Sequence, residues 1–239
     1  MASRISDAWR VLPHGPLEQL SENLWRVEGS LKGMSLKRVM TVVRGKDGSL
    51  VIHSAIALAE KEQRELEALG PPTVMLVPNR GHRLDAPAYR KRYPGLRVLA
   101  PRGGRKGIEE VVPVDGTYED FTGDDTVRLE TLKGVAEEEG VMLVRSSDGM
   151  TVVLNDVVFN MDRKKDPLGW FFTTVLGSAP GPRVSRLTQL LFVKDRKALR
   201  ADLERLAATP QLVRLIVAHE KVARGAEAAS ALRQAATYL

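Results

Sequence analysis

Cysteine is absent from the 239-residue chain. That excludes disulfides, thiolate nucleophiles and Cys-ligated zinc, so any metal must be held by His, Asp or Glu. Aromatic residues are scarce, with 3 Trp, 4 Tyr and 5 Phe. Few of them fall near the basic clusters Arg90-Lys91-Arg92, 102–106 and Arg163-Lys164-Lys165, so the net charge of +6 reads as solvated surface rather than a base-stacking platform. An anionic small substrate suits the same charge balance, and neither nucleic acid nor a membrane is an expected partner. No run approaches the roughly 18 apolar residues of a membrane span. The first residues, MASRISDAWRVLPHG, lack the apolar core of a secretion signal, which predicts a cytoplasmic protein. Also missing are a Gly-x-Ser-x-Gly elbow, a Walker-type phosphate loop, a solenoid repeat and a Gly/Ser or Pro-rich linker. One domain is expected.

What the chain does have is an ordered series of apolar segments around residues 73–85, TVMLVPNRGHRLD. Val74-Met75-Leu76-Val77 reads as a buried strand running into a polar loop with Asn79, Arg80, His82, Arg83 and Asp85. A helix over 87–93 and a strand over 96–100 follow. Strand, polar loop, helix, strand is how open α/β sheets present chemistry at the carboxyl ends of their strands. Upstream, the patterns predict strands at 24–28, 37–44 and 49–53, with a hairpin turn at Gly45-Lys46-Asp47-Gly48 and a helix over 57–69 stopped by Gly70-Pro71-Pro72. Downstream, they predict short strands at 111–114 and 126–132, then 141–145 and 151–154. Residues 101–106 read as a basic turn, and Glu137-Glu138-Glu139 as a solvated hairpin tip. The irregular segment 160–182 carries Trp170-Phe171-Phe172, which either packs the loop or caps a pocket. Amphipathic helices over 183–208, an apolar strand 212–218 delivering His219, and a helix over 226–239 complete the chain. His14 reads as a surface residue, and His53 either as a satisfied strand-end polar group or as a residue that supports the site.

This order resembles the metallo-β-lactamase fold, an α/β four-layer αββα sandwich. The resemblance rests on an N-terminal meander, the apolar strand entering the loop, Pro94-Gly95 before a strand, Asp156 after TVVLN and His219 after LIVA. The family's His-x-His-x-Asp-His motif survives only in part. Arg80 stands at the first His, His82 keeps the second, Leu84 replaces the Asp, and Asp85 replaces the last His. The family's Gly-His turn corresponds to Gly134-Val135, so that ligand is lost. The loop Pro78-Asn79-Arg80-Gly81-His82 is similar to an Asn-x-x-His branch of the family.

The resemblance implies metal ligands at His82, Asp85, Asp156 and His219, with Asp85 and Asp156 as the catalytic carboxylates. The site would be at most mononuclear, because two of the three His ligands of the first metal position are gone. Two carboxylates and one or two imidazoles suit Zn²⁺, Mn²⁺ or Fe²⁺, and an open position would activate water against an ester, amide or phosphoester. Two functions stay open. One is a metal-dependent hydrolase of unspecified small-molecule substrate. The other is a metal-free, non-catalytic relative in which Arg80 pairs with Asp156 or Asp85, and a small anionic ligand or a partner protein is bound through Asn79, Arg80, Arg83 and Trp170.

Overall fold

A computed structural model describes residues 5–239. The first sheet takes strands β1 (Glu18–Ser21), β2 (Leu24–Leu31), β3 (Met34–Arg44), β4 (Leu50–His53), β5 (Pro72–Leu76), β6 (Arg97–Ala100) and β7 (Gly116–Thr117) in sequence order. β1 to β4 are antiparallel, and β4 to β7 run parallel. The second sheet has the order β12 (Ala223–Arg224), β11 (Leu212–Ile216), β10 (Gly149–Val153), β9 (Gly140–Ser146) and β8 (Val127–Thr131). In it only β10 and β11 are parallel.

β3 shows why the chain folds into layers. Val39 and Val43 face the second sheet, where they meet Met142, Val144, Val153 and Ile216. Met40 and Val42 face the other way, among side chains of α1 (Glu60–Leu69), α2 (Ala86–Arg92) and α3 (Arg105–Glu109), including Leu66, Tyr89 and Ile108. Both faces are covered, so the strand reads as a nearly continuous apolar run rather than an alternating one. The outer face of the second sheet is covered in the same way by Leu199, Leu203 and Leu206 of α6 (Arg196–Ala207) and by Ala228, Ala231 and Leu232 of α7 (Ala226–Ala236). Helix, sheet, sheet, helix is the resulting order, the αββα sandwich expected from the sequence. The hairpin turn forms as expected, with Gly48 at φ +82° and its N–H on the Gly45 carbonyl.

Several expectations fail for identifiable reasons. Residues 111–114 are not a strand. Pro113 has no N–H for a ladder, Val112 and Val114 are buried under the helices, and the strand is the short β7. The basic turn at 101–106 instead opens α3. Helix α1 starts only at Glu60, because 55–58 runs extended and buried beneath the N-terminal segment. There His14, expected at the surface, is half-buried, and its Nε2 accepts the Ala59 N–H at 2.8 Å. Glu139 is not a solvated tip but lies buried at the start of β9.

Candidate metal centre

The parallel pairs β4/β5 of the first sheet and β10/β11 of the second end at one rim of the sandwich. β4 ends in His53, β5 leads to Asn79 and His82, β10 leads to Asp156, and β11 leads to His219. Asn79 shapes the loop after β5. Its side-chain oxygen accepts the backbone N–H of Gly81 at 2.7 Å and of His82 at 3.2 Å, a local turn that aims the His82 ring inward. Its amide nitrogen donates to Asp156 Oδ2 at 3.0 Å. Gly81 lies close over the same carboxylate, and a Cβ there would meet Asp156 Oδ2 at 3.2 Å.

The ring nitrogens His82 Nε2 and His219 Nε2 stand 3.1 and 3.3 Å from Asp156 Oδ1. One ligand atom from each of the three residues falls within 4.8 Å of the others. The far side of each ring is also held. His82 Nδ1 pairs with Ser54 Oγ at 2.9 Å, and His219 Nδ1 donates to the Lys37 carbonyl at 2.5 Å. Phe159 stacks on the His219 ring with centroids 5.5 Å apart, and Phe172 meets it edge-on at 6.3 Å.

Asp156 is fixed by its backbone as well. The buried Glu139 carboxylate accepts the N–H groups of Asn155, Asp156 and Val157 at 3.1, 3.0 and 3.1 Å. From the other side, Thr188 Oγ1 of α5 (Arg186–Leu191) donates to the Asp156 carbonyl at 3.0 Å. Partial burial works against ionisation of Asp156, but the charge and hydrogen bonds of His82 and His219 outweigh it and hold the carboxyl well below the usual carboxylate range. Burial first, and then the Asp156 charge, push Glu139 up to about 8, against the pull of its backbone donors. His53 is fully buried with neither ring nitrogen hydrogen-bonded among the described residues, and desolvation drives it down to about 3.

His82, Asp156 and His219 are therefore brought together, and Asp85 is not among them. Asp85 makes a buried ion pair with Arg38 of β3, and its Oδ2 also accepts the Ala57 N–H at 3.2 Å. The expected guanidinium substitution does occur, but at Asp85 and from Arg38. Arg80 is exposed with its stem against Gly107, and it forms no ion pair among the described residues. Arg83 pairs with Glu110 at 2.7 Å. Trp170 is exposed, and it is Phe172 of the same segment that reaches His219. Val135, at the place of a family His, is buried in the core of the second sheet. Sequence reasoning missed Arg38, Ser54 and Glu139. A charged residue opening the largely apolar run 38–43 was the one signal for Arg38.

The donor set fits a metal. The Lys37 carbonyl can only accept, so the proton of a neutral His219 sits on Nδ1 and leaves the Nε2 lone pair facing a carboxylate oxygen. Two acceptors at that distance need a cation or an added proton between them. A ring whose outer N–H is held by a carbonyl is also the usual arrangement of a metal-bound imidazole.

No protein-family model matches the chain, and no curated protein matches it. Solved structures do. A metallo-β-lactamase from Pontibacter korlensis superposes with a TM-score of 0.62 at 12% identity, covering 93% of this chain and 99% of its own. FIM-1 from Pseudomonas aeruginosa, in a mono-zinc form, gives 0.62 at 11% identity with 96% and 98% covered. A metallo-β-lactamase from Erythrobacter litoralis gives 0.63 at 14% identity with 93% and 96% covered. The chain has the metallo-β-lactamase fold.

Proposed function

We propose that this protein is a hydrolase of small-molecule substrates with a single divalent metal held by His82, Asp156 and His219. The observation that carries this reading is the unprotonated face of His219 turned toward the Asp156 carboxylate, with His82 completing a three-donor set. Two imidazoles and one carboxylate suit Zn²⁺, Mn²⁺ or Fe²⁺. When bound, such an ion supplies Lewis acidity and lowers the pKa of water, which serves ester, amide or phosphoester cleavage.

The chain's own residues do the rest. Asn79 and the Glu139-held turn fix Asp156 from its side chain and its backbone. Ser54 and the Lys37 carbonyl set the orientation of the two rings. Phe159 and Phe172 exclude water from one side of His219, which strengthens electrostatic interactions there. Asp85 has no place in this centre, being committed to Arg38. Arg80 and Arg83 remain as cations on the loop that carries His82, available to an anionic substrate once Arg83 leaves Glu110.

The metal-free reading keeps one observation in its favour. Asp156 is already hydrogen-bonded by His82, His219 and Asn79. Its Arg80–Asp156 ion pair is not formed. Calorimetric titration of the chelator-treated protein with Zn²⁺ and Mn²⁺ separates the two readings. Saturable uptake that disappears in Asp156→Ala supports the hydrolase. No uptake of either ion by the native chain rejects it.

A further inference from the structure

The segment between Asp162 and Leu191 carries almost all of the large apolar side chains that the fold leaves in solvent. α4 (Pro167–Trp170) continues into a π-turn, Phe171–Val175, closed by the Leu176 N–H on the Phe171 carbonyl at 3.0 Å. On its outer side Trp170 is 51% and Phe171 49% exposed, with Leu168 and Val175 beside them in sequence. α5 is tied to the end of this turn by the Arg186 N–H on the Leu176 carbonyl, and it adds Leu190 at 79% and Leu191 at 52% exposure. Single exposed apolar residues are ordinary, but six within one short stretch mark a surface that meets something apolar.

The charges in the same stretch say what that is. Arg163, Lys165 and Arg186 are exposed and form no ion pair among the described residues. The acids there are already engaged. Asp162 pairs with Lys221, and Asp166 caps α4 by accepting the Gly169 N–H. Free cations flanking an exposed Trp, Phe and Leu cluster match an anionic lipid surface, where aromatic rings sit at the headgroup level and Lys and Arg meet lipid phosphate. A partner protein with an acidic groove would call for fixed, partly buried cations, and these are at the surface.

We propose that residues 163–191 form a peripheral docking surface for an anionic membrane. This surface does not depend on the metal reading. The same turn carries Phe172, whose ring lies 6.3 Å from His219, so docking brings the candidate centre close to the bilayer.

Co-sedimentation of the full chain with vesicles of phosphatidylcholine alone, or of equal parts phosphatidylcholine and phosphatidylglycerol, tests it. Binding to the mixed vesicles only, weakened by salt, is expected. Trp170→Ser/Phe171→Ser should abolish it, and each of Arg163→Glu and Lys165→Glu should weaken it roughly fivefold per cation lost. These positions are exposed, and an unchanged circular dichroism melt confirms that the variants fold. Absence of binding to the mixed vesicles, or binding indifferent to the double variant, overturns the proposal. So does a native dimer in light scattering that the double variant converts to monomer, which would make the patch a self-contact. Metal uptake by the double variant is expected to be unchanged, which keeps this outcome separate from that of the hydrolase reading.

Discussion

At the scale of single residues, the site is defined by how each buried charge is answered. Asp85 and Arg38 are both buried and answer each other. Removing one partner strands the other, which typically costs about 3–5 kcal/mol, whereas replacing the pair by apolar residues can be neutral. Asp85→Ala should therefore lower stability in urea by that order, Arg38→Met/Asp85→Leu should recover most of it, and metal uptake should survive in both. Glu139 answers three backbone donors around Asp156. Above pH ~8, where Glu139 is ionised, Glu139→Gln turns one acceptor into a donor and should cost about 2 kcal/mol of unfolding free energy. Metal affinity, read by the same titration, should drop about tenfold or more, as is usual when the groups supporting a ligand are disturbed.

His53 is buried as the neutral ring and held down at about 3. Between that value and the usual histidine range, the unfolded chain binds a proton that the folded chain does not. Stability from this group is thus full above pH ~6.5 and falls as the pH drops toward 3. From pH 6.5 to 4 the loss attributable to it should be about 3 kcal/mol, at 1.36 kcal/mol per unit. Chemical denaturation across that range should show a flatter profile for His53→Leu than for the native protein.

At the scale of elements, the strands that deliver the site were legible and the segments that hold it were not. Strand 74–77, Asp156 after an apolar run and His219 after another are local patterns, and each falls where the periodicity put it. Asp85 was misplaced because the sequence shows that a carboxylate follows the loop but not that Arg38, 47 residues earlier, will reach it across a strand. Glu139 was misread because a run of three glutamates resembles a solvated turn, and its burial depends on the backbone of a loop that follows another strand. Cross-chain support of this kind leaves no periodicity to read. α5 is another instance. Ser185 caps it by accepting the Thr188 N–H at 3.0 Å, and Thr188 in turn holds the Asp156 carbonyl. Ser185→Ala should cost about 1 kcal/mol in unfolding experiments, the usual value of an N-cap. It should also weaken metal binding, which a cap substitution remote from the site, such as Asp195→Ala at the start of α6, should not.

At the scale of the molecule, two mixed sheets share one apolar interior and turn the carboxyl ends of their parallel pairs to one rim. The sandwich was readable because each of its layers is written as buried runs in a fixed order. Its chemistry was readable only in part. Residue types at landmark positions offered four candidate ligands, and the folded chain brings the side chains of three of them together. Asp85 is paired with Arg38, and Val135, at the place of a family His, is buried in the core of the second sheet. No helix among the described residues is long and apolar enough to cross a membrane.

The most direct measurement is the metal content of untagged protein by elemental analysis after exposure to Zn²⁺ or Mn²⁺, for the native chain, Asp156→Ala and Asp85→Ala. A three-donor centre predicts about one ion per chain in the native protein, none in Asp156→Ala, and about one in Asp85→Ala. No ion in the native chain, or loss of the ion on removing Asp85, would contradict it.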